Sequence, residues 1–269
     1  MPVSRLSLII VLLGCQATAQ EPPPKSDITP PTTTAKPLPI PEGAPEEIAV
    51  LVEELAEEGV RVDFERRAVE VKGVVLLDKM NAGYPIEYLI VSEGGFTHES
   101  LGLVRCTGSK LNAAFLALGL APGQTVKYEK KDPLPPVEKI ISGEEREFVA
   151  TPPKGAVVDL TVRWTDEHEK VIERPIEDLV RYVTNGEPLP RRGFVYIGSR
   201  FQRVLIGTER EERFMADVEG NLVSLYLSGF GNCLFDMNSA EGAEAYLYDI
   251  NVDTCPSRGT LVDFVFSLR

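Results

Sequence analysis

Histidine occurs only twice in this chain, at His98 and His168, and cysteine four times, at Cys15, Cys106, Cys233 and Cys255. There is no CxxC pair, and only three of the cysteines, Cys106, Cys233 and Cys255, fall in the folded body, which disfavours a structural zinc site or an iron–sulfur cluster of the usual kind. HExxH, G-x-S-x-G and GxxxxGK[ST] are also missing, so zincin, nucleophile-elbow and phosphate-loop chemistry have no motif behind them. Positive charge is scarce. Lysine and arginine number 28 against 41 aspartates and glutamates, a net charge of −13. Residues 1–45 balance to zero, with Arg5, Lys25 and Lys36 against Glu21, Asp27 and Glu42, so the acidity belongs to the remainder. Such a body gains nothing by counterion release or attraction from nucleic acid or anionic lipid.

What is there begins with an export-like start. Arg5 precedes an apolar run at residues 6–13 that is too short to span a bilayer as a stable helix. Two processing readings compete over residues 1–19. Leu12-Leu13-Gly14-Cys15 resembles a lipobox, with Cys15 lipidated. Ala17-Thr18-Ala19 resembles an A-x-A site for ordinary secretion. Residues 20–45 carry nine prolines mixed with threonine. That composition favours polyproline II and reads as a disordered, semi-rigid linker ahead of a folded body at 46–269. Export permits disulfides, and Cys233 and Cys255, 22 residues apart, are the plausible pair. Cys106, beside Leu103 and Val104, reads as a buried thiol.

Along the body, residues 45–58 place Ile48, Leu51, Val52 and Leu55 on one helical stripe, stopped by Gly59. Residues 60–77 switch to strand period and turn near Arg66 and Arg67. Residues 86–91 read as a third strand. A short helix or irregular segment is expected at 98–105, then a helix over 109–119 with Leu111, Ala114, Phe115 and Leu118 on its apolar side. Further strands are expected at 157–164, 171–174, 193–197, 233–236, 247–252 and 261–268, with a short helix at 176–182. Glu219-Gly220-Asn221 reads as a hairpin turn between strands at 214–218 and 222–227. The sum is an α+β, β-rich chain of mostly antiparallel sheets. Its two main helices lie in the N-terminal half, and a division into two subdomains near residue 150 is allowed for.

Several separated motifs resemble one family. Thr97-His98-Glu99-Ser100 follows a strand. About 11 residues later comes an alanine-and-leucine helix ending in Leu118-Gly119-Leu120-Ala121-Pro122-Gly123. Gly193-Phe194-Val195-Tyr196-Ile197-Gly198-Ser199, Met215-Ala216-Asp217-Val218-Glu219-Gly220 and Gly259-Thr260-Leu261-Val262 appear in order after it. Together they resemble the YdjY domain family. The resemblance implies a bacterial, often exported domain without an assigned biochemical role. Some relatives are linked by name to ferredoxin-like proteins, a link this cysteine-poor sequence does not carry.

His98, Glu99 and Ser100 are the sharpest catalytic candidates, as a base or ligand beside a carboxylate and a hydroxyl. Adjacent side chains diverge on a strand or helix, so the alternative is a structural turn whose polar groups bond the backbone. His168, between Asp166 and Lys170, reads as a solvated hairpin tip. Asp249, Asn251 and Asp253 share the alternate spacing of a calcium loop but lack its glycine and terminal glutamate; on a strand they share one solvent face. No cofactor is expected. The expected role is a non-catalytic binding or structural domain of the cell envelope or periplasm. Its partner is an unknown protein or polymer, and it meets the membrane only through a lipid anchor at Cys15. The alternative is a hydrolase or metal-binding enzyme using His98 and Glu99.

Overall fold

The structure, a computed structural model, describes residues 27–240 and 247–269. Helix α1 (Glu46–Glu57) follows Pro45, with Glu46 and Glu47 at its positive end and Val52, Leu55 and Ala56 buried. Gly59, at φ +79°, turns the chain into β1 (Val60–Asp63), which forms the expected hairpin with β2 (Ala68–Val75). Strand β3 (Tyr88–Val91) follows, then a 3₁₀ turn at Thr97–Glu99 and β4 (Ser100–Val104). That strand corrects the expectation of a helix or irregular segment after His98. Every residue of Ser-Leu-Gly-Leu-Val is buried, and burial on both faces erases the alternation that marks a strand in sequence. Helix α2 (Gly108–Ala117) is capped by the Thr107 hydroxyl, which accepts from the Lys110 N–H at 3.4 Å.

A small ribbon of β5 (Lys127–Lys130) and β6 (Phe148–Thr151) encloses α3 (Val137–Ile141). Strands β7 (Val157–Thr165) and β8 (Val171–Pro175) form a hairpin with His168 at its exposed tip. Next come β9 (Val180–Tyr182), β10 (Phe194–Tyr196), and a ribbon of β11 (Phe201–Ile206) and β12 (Glu209–Phe214). The expected hairpin at Glu219-Gly220-Asn221 is corrected. Met215–Glu219 is a helical turn, α4, and Gly220 closes it in the left-handed region at φ +66° before β13 (Asn221–Ser224). Strands β14 (Phe235–Met237), β15 (Tyr248–Ile250) and β16 (Leu261–Leu268) complete the chain.

Eight strands close into a mixed barrel in the order β2-β16-β7-β10-β14-β13-β3-β4, with β4 returning to β2. Most pairings are antiparallel, but β3 with β4 and β13 with β14 run parallel. Closure needs two long strands to divide an edge. β2 gives residues 68–71 to β1 and 73–75 to β4, while β7 gives 157–158 to β10 and 161–165 to β8. The sheet draws strands from both sides of residue 150. β2 lies beside β16 at the end of the chain, which lies beside β7.

The interior is filled with side chains. Val262, Phe264 and Phe266 of β16 meet Val69 and Val71 of β2 and Leu160 and Val162 of β7 on the inner face. Phe264 lies against two glycines, Gly73 and Gly102, where β2 meets β4. Helix α2 inserts Phe115 against Phe235 (4.8 Å, edge-on), Phe266 (5.4 Å) and Tyr196 (5.6 Å). The Tyr196 hydroxyl bonds Asn112 Oδ1 on the same helix at 2.5 Å.

The outer face of β1, β2, β16 and β7 carries a charge ladder. Glu70 bonds Arg61 and Arg163, and Asp263 bonds Arg163 and Lys72. The proline-rich stretch lies over part of this ladder. Among residues 27–45, Ala35 N–H donates to Ala56 C=O at 2.7 Å, Asp27 pairs with Arg258, and Ile28 and Ile40 pack against the core. Residues 27–45 have no strand partner and no helix, yet they lie along the body as a strap rather than standing off it.

Candidate functional site

The turn at Thr97–Glu99 brings together the residues singled out by sequence. His98 Nε2 is 3.4 Å from Glu99 Oε1, and the imidazole packs edge-on against Phe96, which stacks on Tyr88. Ser100 points elsewhere. It is fully buried, and its hydroxyl donates to Phe96 C=O at 2.6 Å, tying the turn to the start of β4. A nucleophile needs a reachable oxygen and a base within hydrogen-bond range; this oxygen is enclosed and bonded to backbone. Glu87 and Tyr88 complete the surroundings. Burial, and then the charge of Glu99, raises the Glu87 pKa; burial pushes the Tyr88 hydroxyl up as well. Clefts open elsewhere, under Pro31 and Thr33 beside the charge ladder and between Arg67 and Arg269.

Asp249, Asn251 and Asp253 do not form a calcium loop. The expected shared solvent face is corrected: Asp249 is 3% exposed, pairs with Arg181 at 3.1 Å, and accepts from the Gly83 N–H at 2.9 Å. Asn251 donates to Asp178 C=O, and its own Oδ1 takes the Asp253 N–H. The side chains of Asp249 and Asn251 are spent on joining β15 to β9 and to neighbouring loops, and Asp253 is exposed. Among the described residues, no group of three or more histidine, cysteine, aspartate or glutamate side chains is placed to hold a metal ion.

The expected disulfide is not formed. Cys233 and Cys255 are both free thiols. Cys233 precedes β14, near Ser224 and Asp236, whereas Cys255 lies in a turn near Asp78. Burial raises both, Cys255 to about 12. Cys106 is buried, its thiol pushed up to about 12 by burial and by Glu58. Thiols held this far above neutrality are poor nucleophiles. Cys15 lies outside the described residues.

One titratable group escaped sequence reading. Asp236 of β14 is buried, and burial raises its pKa to about 6, opposed by the Thr125 hydroxyl donating to it at 2.7 Å and by the Val126 N–H. The native state therefore holds this proton more tightly than the unfolded chain, whose value lies near 3.8. The associated stability is complete below about pH 4 and is lost as pH rises through about 6, up to about 3 kcal/mol in all. Asp236→Asn is expected to abolish that component and to be more stable than the parent at pH 7. Urea unfolding of both proteins at pH 4.5 and 7 measures it, and an unchanged pH slope in the variant rejects the assignment.

The motifs scattered along the sequence meet in space. A Cβ on Gly108 of α2 would lie 2.5 Å from the Ala216 methyl of α4. One on Gly198 would lie 2.7 Å from Pro122 Cβ, and one on Gly220 would lie 2.5 Å from the Gly95 backbone nitrogen. The YdjY domain profile matches residues 60–267. The chain belongs to the YdjY domain family. No curated protein and no solved structure matches it. In this YdjY domain the shared motifs are therefore read as packing junctions: α2 against α4, the exit of α2 against the end of β10, and the turn before His98 against the cap of α4.

The YdjY barrel leaves apolar side chains outside. Phe201, Leu205 and Ile206 on the β11–β12 ribbon are exposed, as are Val137, Ile141 and Phe148 around α3. The loop at 228–232 joins the bases of both ribbons. Tyr128 of β5 bonds Leu227 C=O and packs by Gly229. Arg200, entering β11, bonds Asn232 Oδ1 at 2.8 Å and lies 5.9 Å from the Phe230 ring. Sequence reading missed β11 and β12. The available signal was Gly207-Thr208 between two strand-like halves, because glycine at the first central position suits a two-residue hairpin.

Proposed function

We propose that this YdjY domain is an exported, non-catalytic binding or structural module of the cell envelope, tethered through lipid on Cys15. The observation that carries the non-catalytic half is the Ser100 hydroxyl, donated to Phe96 C=O within a buried strand beside a histidine that packs on an aromatic ring. What supports a binding role is the apolar side chains displayed on two ribbons around the loop at 228–232. Export is supported by the residue pattern at 1–19, which lies outside the described residues, and by the strap that leads from it onto the body. The partner is a protein or polymer of the envelope.

The test is fractionation of cells expressing the full chain, with intact mass measured on the recovered protein. The parent is expected in the membrane fraction with an acyl-bearing N-terminal cysteine, and Cys15→Ser in the soluble fraction without it. A parent chain that is soluble and begins at Gln20 removes the anchor but keeps export. A parent chain retained at full length in the cytoplasm overturns the reading. His98→Ala, scored in the same cells, is expected to fold and to fractionate as the parent does.

A further inference from the structure

The two edges of the β11–β12 ribbon differ in chemistry. Strand β12 reads Glu-Arg-Glu-Glu-Arg-Phe, and β11 reads Phe-Gln-Arg-Val-Leu-Ile. Charged side chains blunt an edge against pairing, and a β-rich apolar edge without them is a template for another strand. So β12 is guarded, and β11 carries a single charge, Arg203, whose cross-strand neighbour is Glu212. Among the described residues β11 pairs with β12 alone.

The hairpin fixes which backbone groups are free. Ile206 pairs with Glu209 around the two-residue loop, and Gly207 has φ +61°. A loop of that kind makes its flanking residues a hydrogen-bonded pair, and bonding alternates along the strand. Gln202, Val204 and Ile206 therefore bond inward to β12, while Phe201, Arg203 and Leu205 direct their N–H and C=O outward.

We propose that this edge is a self-association site, in which two copies of the chain pair their β11 strands antiparallel about a twofold axis at Val204. Outward-facing residues must oppose one another, so Arg203 of each copy faces Leu205 of the other and Val204 faces Val204. The register centred on Arg203 would set two arginines directly opposite, which is unfavourable. The result is a four-stranded sheet with apolar strands in the middle and the charged β12 strands outside. Both outer edges are guarded, so assembly closes at two copies rather than growing into a fibre. A contact of one strand pair is small, so the dimer is weak and concentration-dependent. This inference does not depend on the envelope reading.

Sedimentation of the full chain across a concentration series tests it, with cysteine scanning alongside. The mass is expected to rise from one chain toward two. Leu205→Pro, which removes an outward N–H and leaves the β12 bonds intact, is expected to stay at one chain with an unchanged circular dichroism spectrum. Val204→Cys is expected to cross-link under mild oxidation at least tenfold faster than Gln202→Cys, because only position 204 opposes itself. Val204→Lys and Val204→Glu are each expected to be monomeric and to pair when mixed. A chain that remains single at every concentration overturns the proposal. So does a dimer that survives Leu205→Pro, or equal cross-linking at 202 and 204, either of which places the contact elsewhere.

Discussion

Gly102→Ala is expected to destabilise the domain by at least about 3 kcal/mol, the upper part of the range for overfilling a packed core. A Cβ at this position would collide with the tip of the Phe264 ring, meeting Cζ closer than real Cβ atoms approach any neighbour. Phe264 cannot move aside. It is fully buried on β16, and a Cβ on Gly73 would meet the same ring at 2.5 Å, so it is hemmed in by two strands. Those strands are the ones whose pairing, Gly73 with Val104 and Val75 with Gly102, closes the barrel. The methyl group therefore forces either the ring off its rotamer or β4 away from β2. Adding Phe264→Leu to Gly102→Ala is expected to recover a large part of the loss, since the contacting ring atoms are gone, although Phe264→Leu alone costs stability. Urea unfolding of the two single variants and the double variant gives the coupling. A Gly102→Ala protein within about 0.5 kcal/mol of the parent, or strictly additive variants, would show that the glycines do not make room for this ring.

The same glycines explain what could be read from the sequence. Helices α1 and α2, strand β1 and the long strands β7 and β16 announced themselves because each presents one buried face, and a one-sided element repeats its apolar residues at its own period. Strand β2, buried on both faces, was legible only as a β-branched apolar run. The closed barrel did not. Gly102 in β4 and Gly73 in β2 look like weak strand residues until Phe264, far away in sequence, is known to lie over both. Parallel pairing of β3 with β4 was hidden for a related reason: β4 is buried on both faces and has no alternation. Gly220 carried an ambiguous signal, because a left-handed glycine serves a hairpin and a helix cap equally well; the bond from its N–H to Ala216 C=O, which closes α4, decides between them.

The candidate site was legible in part. His98, Glu99 and Ser100 do form one local turn; the expectation that adjacent side chains diverge describes how Ser100 leaves the other two but not His98 and Glu99, whose side chains approach to 3.4 Å. What sequence could not supply was the partner of each polar group. Asp249 belongs to Arg181, 68 positions away, and Asp236 to Thr125, 111 positions away. A carboxylate spaced like a ligand is indistinguishable from one that bridges two strands until the strands are placed.

Phe115→Ala is the second large effect, expected to cost about 3–5 kcal/mol, the usual range for removing a buried aromatic ring. Its ring contacts Tyr196 of β10, Phe235 of β14 and Phe266 of β16, three separate strands of the barrel, and it is the anchor by which α2 reaches the interior. Residues around it cannot collapse into the space, because those strands are bound into the closed sheet on both sides. Leu116→Ala, next to it on α2 but 47% exposed, is expected to change stability by no more than about 0.5 kcal/mol. The contrast matters because Phe→Ala gains at least as much helix propensity as Leu→Ala, so a greater loss in Phe115→Ala measures packing and not helix formation. Loss of Phe115 also frees one side of Phe235, the neighbour of Asp236, so near-ultraviolet circular dichroism is expected to weaken in Phe115→Ala and to persist in Leu116→Ala. Equal stabilities for the two variants would mean that α2 is held by its α1 and α4 contacts alone, and that the aromatic cluster is a consequence of the barrel rather than the reason the helix docks on it.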